Sequence, residues 1–166
     1  GENFKGTGSL SVPTSDAVVN RIQNGLENNA KSTAGNFSKV LVQVKTNLPK
    51  ITDPSKATGY DSVELLAYGA CSDLTAGTTP VMKSKYNVDP NATITANKSA
   101  LIAAGVRMLD RYVAGLASQG PTADQVQTAL TNLLSTLAND STNTSKIAFM
   151  SVCVAANTAG STLMGF

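Results

Sequence analysis

A chain of 166 residues, 42% of them apolar, is long enough to bury one hydrophobic core and excludes wholesale disorder. Its 13 Lys and Arg against 11 Asp and Glu leave a net charge of +2, and Lys31, Lys39, Lys45, Lys50 and Lys56 have no interleaved aromatics, so no nucleic-acid partner is expected. The sequence contains no histidine, which removes the commonest general base, triad partner and transition-metal ligand.

Residues 1–14 are rich in Gly, Ser and Thr without an apolar period and read as a flexible N-terminal arm, leaving residues 15–166 as a single helical domain. Ser15 can cap a first helix whose Val18, Val19, Ile22 and Leu26 share one face. Phe37, Val40, Leu41, Val44 and Leu48 repeat the spacing until Pro49 stops a second helix. Tyr60, Val63, Leu66 and Ala70 mark a third, ending near Asp73. From Thr78 to Asn97 the chain reads as a long loop anchored by Tyr86, Val88 and Pro90, and long loops are often functional.

The next run, Ser99 to Ser118, places Leu101, Ile102, Gly105, Met108, Leu109, Tyr112, Val113 and Leu116 on one face, with alanines over much of the rest. A helix apolar nearly all round belongs at the centre of a bundle. Its charged stripe, Arg107, Asp110 and Arg111, is spaced so that one carboxylate meets two guanidiniums; an ion pair is the reading preferred over an anion site. Pro121 and Thr122-Ala123-Asp124-Gln125 start a helix through Val126, Leu130, Leu133, Leu134 and Leu137. Ser145 is the expected cap of a last helix carrying Ile147, Met150, Cys153 and Val154. Residues 147–166 bear no charge, but Asn157, Thr158, Ser161 and Thr162 make a poor lipid-facing span, so any membrane contact is confined to this segment.

The fold expected is therefore all-α, a single-domain bundle of five to six helices pinned by one disulfide. Cys71 and Cys153 lie in separate apolar runs rather than in a C-x-x-C pair, so a bridge between the third and last helices is expected, with two buried thiols as the alternative. Low charge and a bridge both suit an exported protein, periplasmic, surface-bound or extracellular.

Catalytic signals are weak. Asp61 and Glu64 sit in a first helical turn, where the helix dipole alone accounts for acidic residues. No nucleophile elbow or phosphate loop occurs, and neither a cofactor nor a metal is expected. Five N-x-S/T motifs, at Asn36, Asn91, Asn97, Asn139 and Asn143, are only slightly above chance for this composition.

The expected function is a non-enzymatic structural or interaction subunit of an envelope or surface assembly, such as secretion, pilus-like or adhesion machinery, with protein partners or further copies of itself. The candidate contact residues are Tyr86, Val88 and Pro90 in the long loop, and Leu163, Met164 and Phe166 in a C-terminal patch running from Ala155. A secreted carrier of a small apolar ligand, with Tyr60, Tyr68 or Tyr112 as its polar contact, is the alternative. An inhibitor or effector docking through the 78–97 loop is the third.

Overall fold

The computed structural model describes residues 15–31, 35–40, 59–112 and 120–163. Among them the chain is all-helical, without a strand. The helices are α1 (Ser15–Gly25), α2 (described over residues 36–40), α3 (Gly59–Thr75), α4 (Val81–Ser84), α5 (Lys98–Tyr112), α6 (Gly120–Ala138) and α7 (Ser145–Leu163). All but α4 begin where the apolar period predicts. The expected continuations of the second helix to Leu48 and of the fifth to Ser118 lie outside the described residues, as does the arm 1–14. α4 is a single turn inside the segment expected to be loop, and it buries Met82.

Paired contacts fix the helix directions. α1 runs antiparallel to α5, because Asn24 bonds Arg111 while Glu27 bonds Arg107. α5 and α7 run parallel, since Asn97 meets Ser145, Gly105 faces Val152 and Tyr112 meets Asn157. α6, between α5 and α7 in the chain, packs against α5 with Leu130 beside Gly105. The buried side chains of all these helices form one core cluster.

α7, rather than the Ser99–Ser118 helix, is the central element: it packs extensively against both α3 and α5. The reason lies in side-chain size. α5 keeps Ser99, Ala103, Arg107 and Arg111 at the surface, whereas Ala148, Ala156, Gly160 and Ser161 let neighbours approach α7 closely enough to bury it. No helix among the described residues is long and apolar enough to cross a membrane.

One helix start depends on a distant side chain and another on a local cap. The Asp73 carboxylate at the end of α3 accepts from the backbone N–H of Lys31 at 2.9 Å, Asn36 at 2.7 Å and Phe37 at 3.2 Å. It thereby supplies both acceptor and negative charge to the first turn of α2. At α7 the cap is Thr144, whose Oγ1 accepts from Ile147 N–H at 3.2 Å. Ser145, the expected cap, is buried instead: its hydroxyl donates to the Ala92 carbonyl at 2.6 Å and accepts from Asn97 Nδ2 at 2.8 Å, tying the 78–97 segment to α7.

Candidate interaction surface

Cys71 of α3 and Cys153 of α7 form the expected disulfide, with Cα atoms 5.9 Å apart. Both residues are fully buried, so the bridge is out of reach of solution thiols while the fold is intact. It closes a loop spanning 82 residues, worth about 4 to 5 kcal/mol in the loop-entropy model.

Tyr86 and Val88, expected at a contact surface, are core residues with 4% and 0% exposure. They anchor the 78–97 segment rather than offering a docking face. The Tyr86 ring tilts against Phe149 of α7 with centroids 5.7 Å apart, and the Arg107 guanidinium lies 4.8 Å from its centroid. Arg107 also grips Glu27 with a two-pronged contact at 2.6 and 2.8 Å and donates to the Lys85 carbonyl at 2.6 Å. Its fork is thus filled by the chain itself, which makes Arg107 a surface staple joining α1, α5 and the α4 exit. The Arg107 hydrogen bond holds the Glu27 carboxyl below its usual range, and burial pushes the Tyr86 hydroxyl up to about 12. Arg111 holds the adjacent turn through the Asn24 carbonyl and side-chain oxygen, both at 3.1 Å.

Pro90 stands partly exposed at the rim of an open groove of about 490 Å³ between residues 90–95 and the 138–145 connection. Its lining is mixed: Asn91, Thr93, Asp140 and Asn143 supply polar groups beside the apolar surface of Pro90 and Ile94. Asp140 Oδ1 accepts from both the N–H and the hydroxyl of Thr142, at 2.9 and 2.7 Å, which lowers the carboxyl pKa.

The Leu163 side chain, Met164 and Phe166 lie outside the described residues. Upstream of them the expected exposed patch is largely interior, since Ala156, Asn157, Thr158, Gly160 and Ser161 are buried. Tyr112 of α5 is the cause. Its ring lies between Gly25 of α1 and Gly160 of α7, where a Cβ on either glycine would overlap ring carbons. Its hydroxyl donates to Asn157 Oδ1 at 2.6 Å, and Asn157 Nδ2 donates to the Cys153 carbonyl at 2.8 Å. Burial raises the Tyr112 pKa well above the ordinary tyrosine range.

No family model, curated protein or solved structure matches this chain. No cluster of His, Cys, Asp and Glu suited to a metal ion occurs among the described residues.

The exposed apolar residues lie elsewhere than the sequence suggests. Leu65 and Tyr68 of α3 are 56% and 62% exposed, and together with Glu64 and the half-buried Val154 of α7 they line a shallow groove of about 340 Å³. Their signal was present in the sequence: they stand one turn apart and off the Val63, Leu66, Ala70 face, where solvent would normally select polar residues. Of the tyrosines proposed as a polar contact for a carried ligand, two are described. Tyr112 is committed to Asn157, Tyr68 faces solvent, and the Tyr60 side chain lies outside the described residues.

Proposed function

We propose that this chain is a non-enzymatic interaction subunit of an exported assembly at the cell envelope or surface, and that Leu65, Tyr68 and Val154 form its docking face. The observation that carries this reading is the exposure of a large aromatic and a leucine on a helix that the buried disulfide ties to the centre of the bundle. An interface residue held on a rigid element loses little conformational freedom on binding, and tyrosine is enriched among the side chains that dominate such contacts. The bridge supports an oxidising compartment.

The double substitution Leu65→Glu with Tyr68→Glu tests the assignment. Both positions are exposed, so thermal stability should move by no more than about 0.5 kcal/mol. Co-isolation of the chain with its native assembly should fall by at least about tenfold, the scale of one lost anchor. Full retention in the assembly by a folded double variant would overturn the docking face.

A further inference from the structure

The five N-x-S/T motifs are equivalent in sequence, but the structure separates them. Asn97 is buried, and its Nδ2 donates to the Asp89 carbonyl at 2.7 Å and to Ser145 Oγ at 2.8 Å, so both amide hydrogens already serve the junction of the 78–97 segment with α7. Asn143 is half-buried, with Nδ2 donating to the Leu137 carbonyl at 2.9 Å. Asn36 spends its Nδ2 on Ser72 Oγ at 2.8 Å in the α2–α3 contact. Asn36 is exposed, but its amide is already engaged. Asn91 and Asn139 are exposed on turns, Asn91 after Pro90 and Asn139 at the end of α6. Their hydroxyl residues two positions on, Thr93 and Ser141, are exposed as well.

We infer that Asn91 and Asn139 are acceptors for N-linked glycans, and that Asn97 and Asn143 are not. The inference rests on the export reading, because the transfer needs a compartment that also supplies a lipid-pyrophosphate-linked oligosaccharide. In that step the carboxamide nitrogen forms a bond to the anomeric carbon of the sugar while that carbon's bond to the pyrophosphate oxygen breaks. The lipid pyrophosphate departs with the bonding pair, and one amide proton passes to a base on the transferase. No electrons are exchanged. A glycan on Asn97 would remove a hydrogen bond from a buried junction that has no room for a sugar, whereas at Asn91 and Asn139 the product projects into solvent.

The two acceptors flank the same open groove, Asn91 as part of its lining and Asn139 between the lining residues Ala138 and Asp140. That groove opens beside Ser145 at the start of α7, while Val154 of the docking face lies about 13 Å further along the helix at 1.5 Å per residue. Glycans at both positions would therefore shield the grooved end of the bundle and leave the Leu65–Tyr68 face open.

The test is peptide mapping of the full chain isolated from its native source, with release by peptide N-glycosidase in heavy-oxygen water and thiol alkylation of the same sample. Labelled aspartate at 91 and 139, with unlabelled Asn97 and Asn143, is the expected result, and Asn91→Gln and Asn139→Gln should each lower the intact mass by one glycan. An oxidised Cys71–Cys153 pair with bare Asn91 and Asn139 would overturn the acceptor assignment while sparing export. Free thiols in the isolated chain would overturn both. Occupancy of Asn97 in folded protein would contradict the sorting by burial.

Discussion

α7 is held in two different ways on its two flanks. Toward α3 it is tied by one covalent bond between Cys71 and Cys153; toward α1 and α5 it is held by the Tyr112 ring seated between Gly25 and Gly160, with Asn157 receiving the hydroxyl. The first hold acts chiefly by restricting the unfolded chain and tolerates small shifts in packing. The second acts only in the folded state through shape and one hydrogen bond, so a single methyl group can upset it. A central helix made of small residues needs such restraints, because its alanines and glycines bury little apolar area of their own.

Removing the covalent hold should have the larger effect. Cys71→Ala with Cys153→Ala is expected to lower unfolding stability by about 4 kcal/mol while retaining helical circular dichroism, measured by urea denaturation. Reductant added to the folded wild-type protein should act slowly, at a rate set by unfolding, because both sulfurs are buried. A loss of under about 1 kcal/mol in the double variant would mean that the tyrosine seam alone fixes α7 and that the unfolded-state account is wrong.

The seam is tested by adding one methyl group. Gly160→Ala places a Cβ against the Tyr112 ring, and the ring has α1 behind it at Gly25, so it cannot retreat. The expected cost is about 1 to 3 kcal/mol, the range for overpacking a tight contact. A second readout follows from the raised tyrosine pKa values. Because the phenols of Tyr112 and Tyr86 ionise later in the folded protein than in the unfolded chain, their contribution is complete below the ordinary tyrosine pKa. It is lost as pH rises through the folded values, for Tyr86 between about 10 and about 12. Gly160→Ala should bring one late-ionising tyrosine forward in the absorbance titration and leave Tyr86 in place. An unchanged titration together with wild-type stability would remove the clamp from the account.

The helices were legible because each carries a run of apolar residues at three- and four-residue spacing, and the two cysteines sat on two such runs. What the sequence did not disclose were partners distant along the chain. Asp73 seats the start of α2 across 37 positions, and Glu27 meets Arg107 across 80. Nothing local distinguishes those carboxylates from solvated ones. The misplaced surfaces have a related cause. Small residues such as Ala156 and Gly160 suit an exposed seam and a buried one equally well, and only Tyr112 decides between them. In the 78–97 segment, Met82 and Tyr86 stand four apart, a hint of the buried turn that the surrounding polar residues obscured. Leu65 and Tyr68 were visible as apolar positions on the wrong face of α3.

A third and weaker tie, the Arg107 staple between α1, α5 and the α4 exit, differs from both holds on α7 in being electrostatic and strained. Glu27 occupies the left-handed region at φ 55, beside Asn28 at φ 62, where the Asn28 N–H closes α1 on the Gln23 carbonyl at 2.7 Å. That conformation costs a non-glycine residue about 1 kcal/mol or more. The ion pair, with both side chains partly exposed, returns only about 0.5 to 1 kcal/mol. Glu27→Gln keeps the strain and discards the charge, so it should lose about 0.5 kcal/mol, and less in high salt. Because the Glu27 pKa is depressed in the fold, the wild-type advantage is present above the ordinary glutamate range and is lost as pH falls through the folded value. Glu27→Gly discards both charge and strain, and its net effect should lie within about 0.5 kcal/mol of zero. A glycine variant clearly less stable than the glutamine variant would show that the staple depends on the carboxylate-bearing stem packing along Arg107, and that left-handed strain is not what offsets the pair.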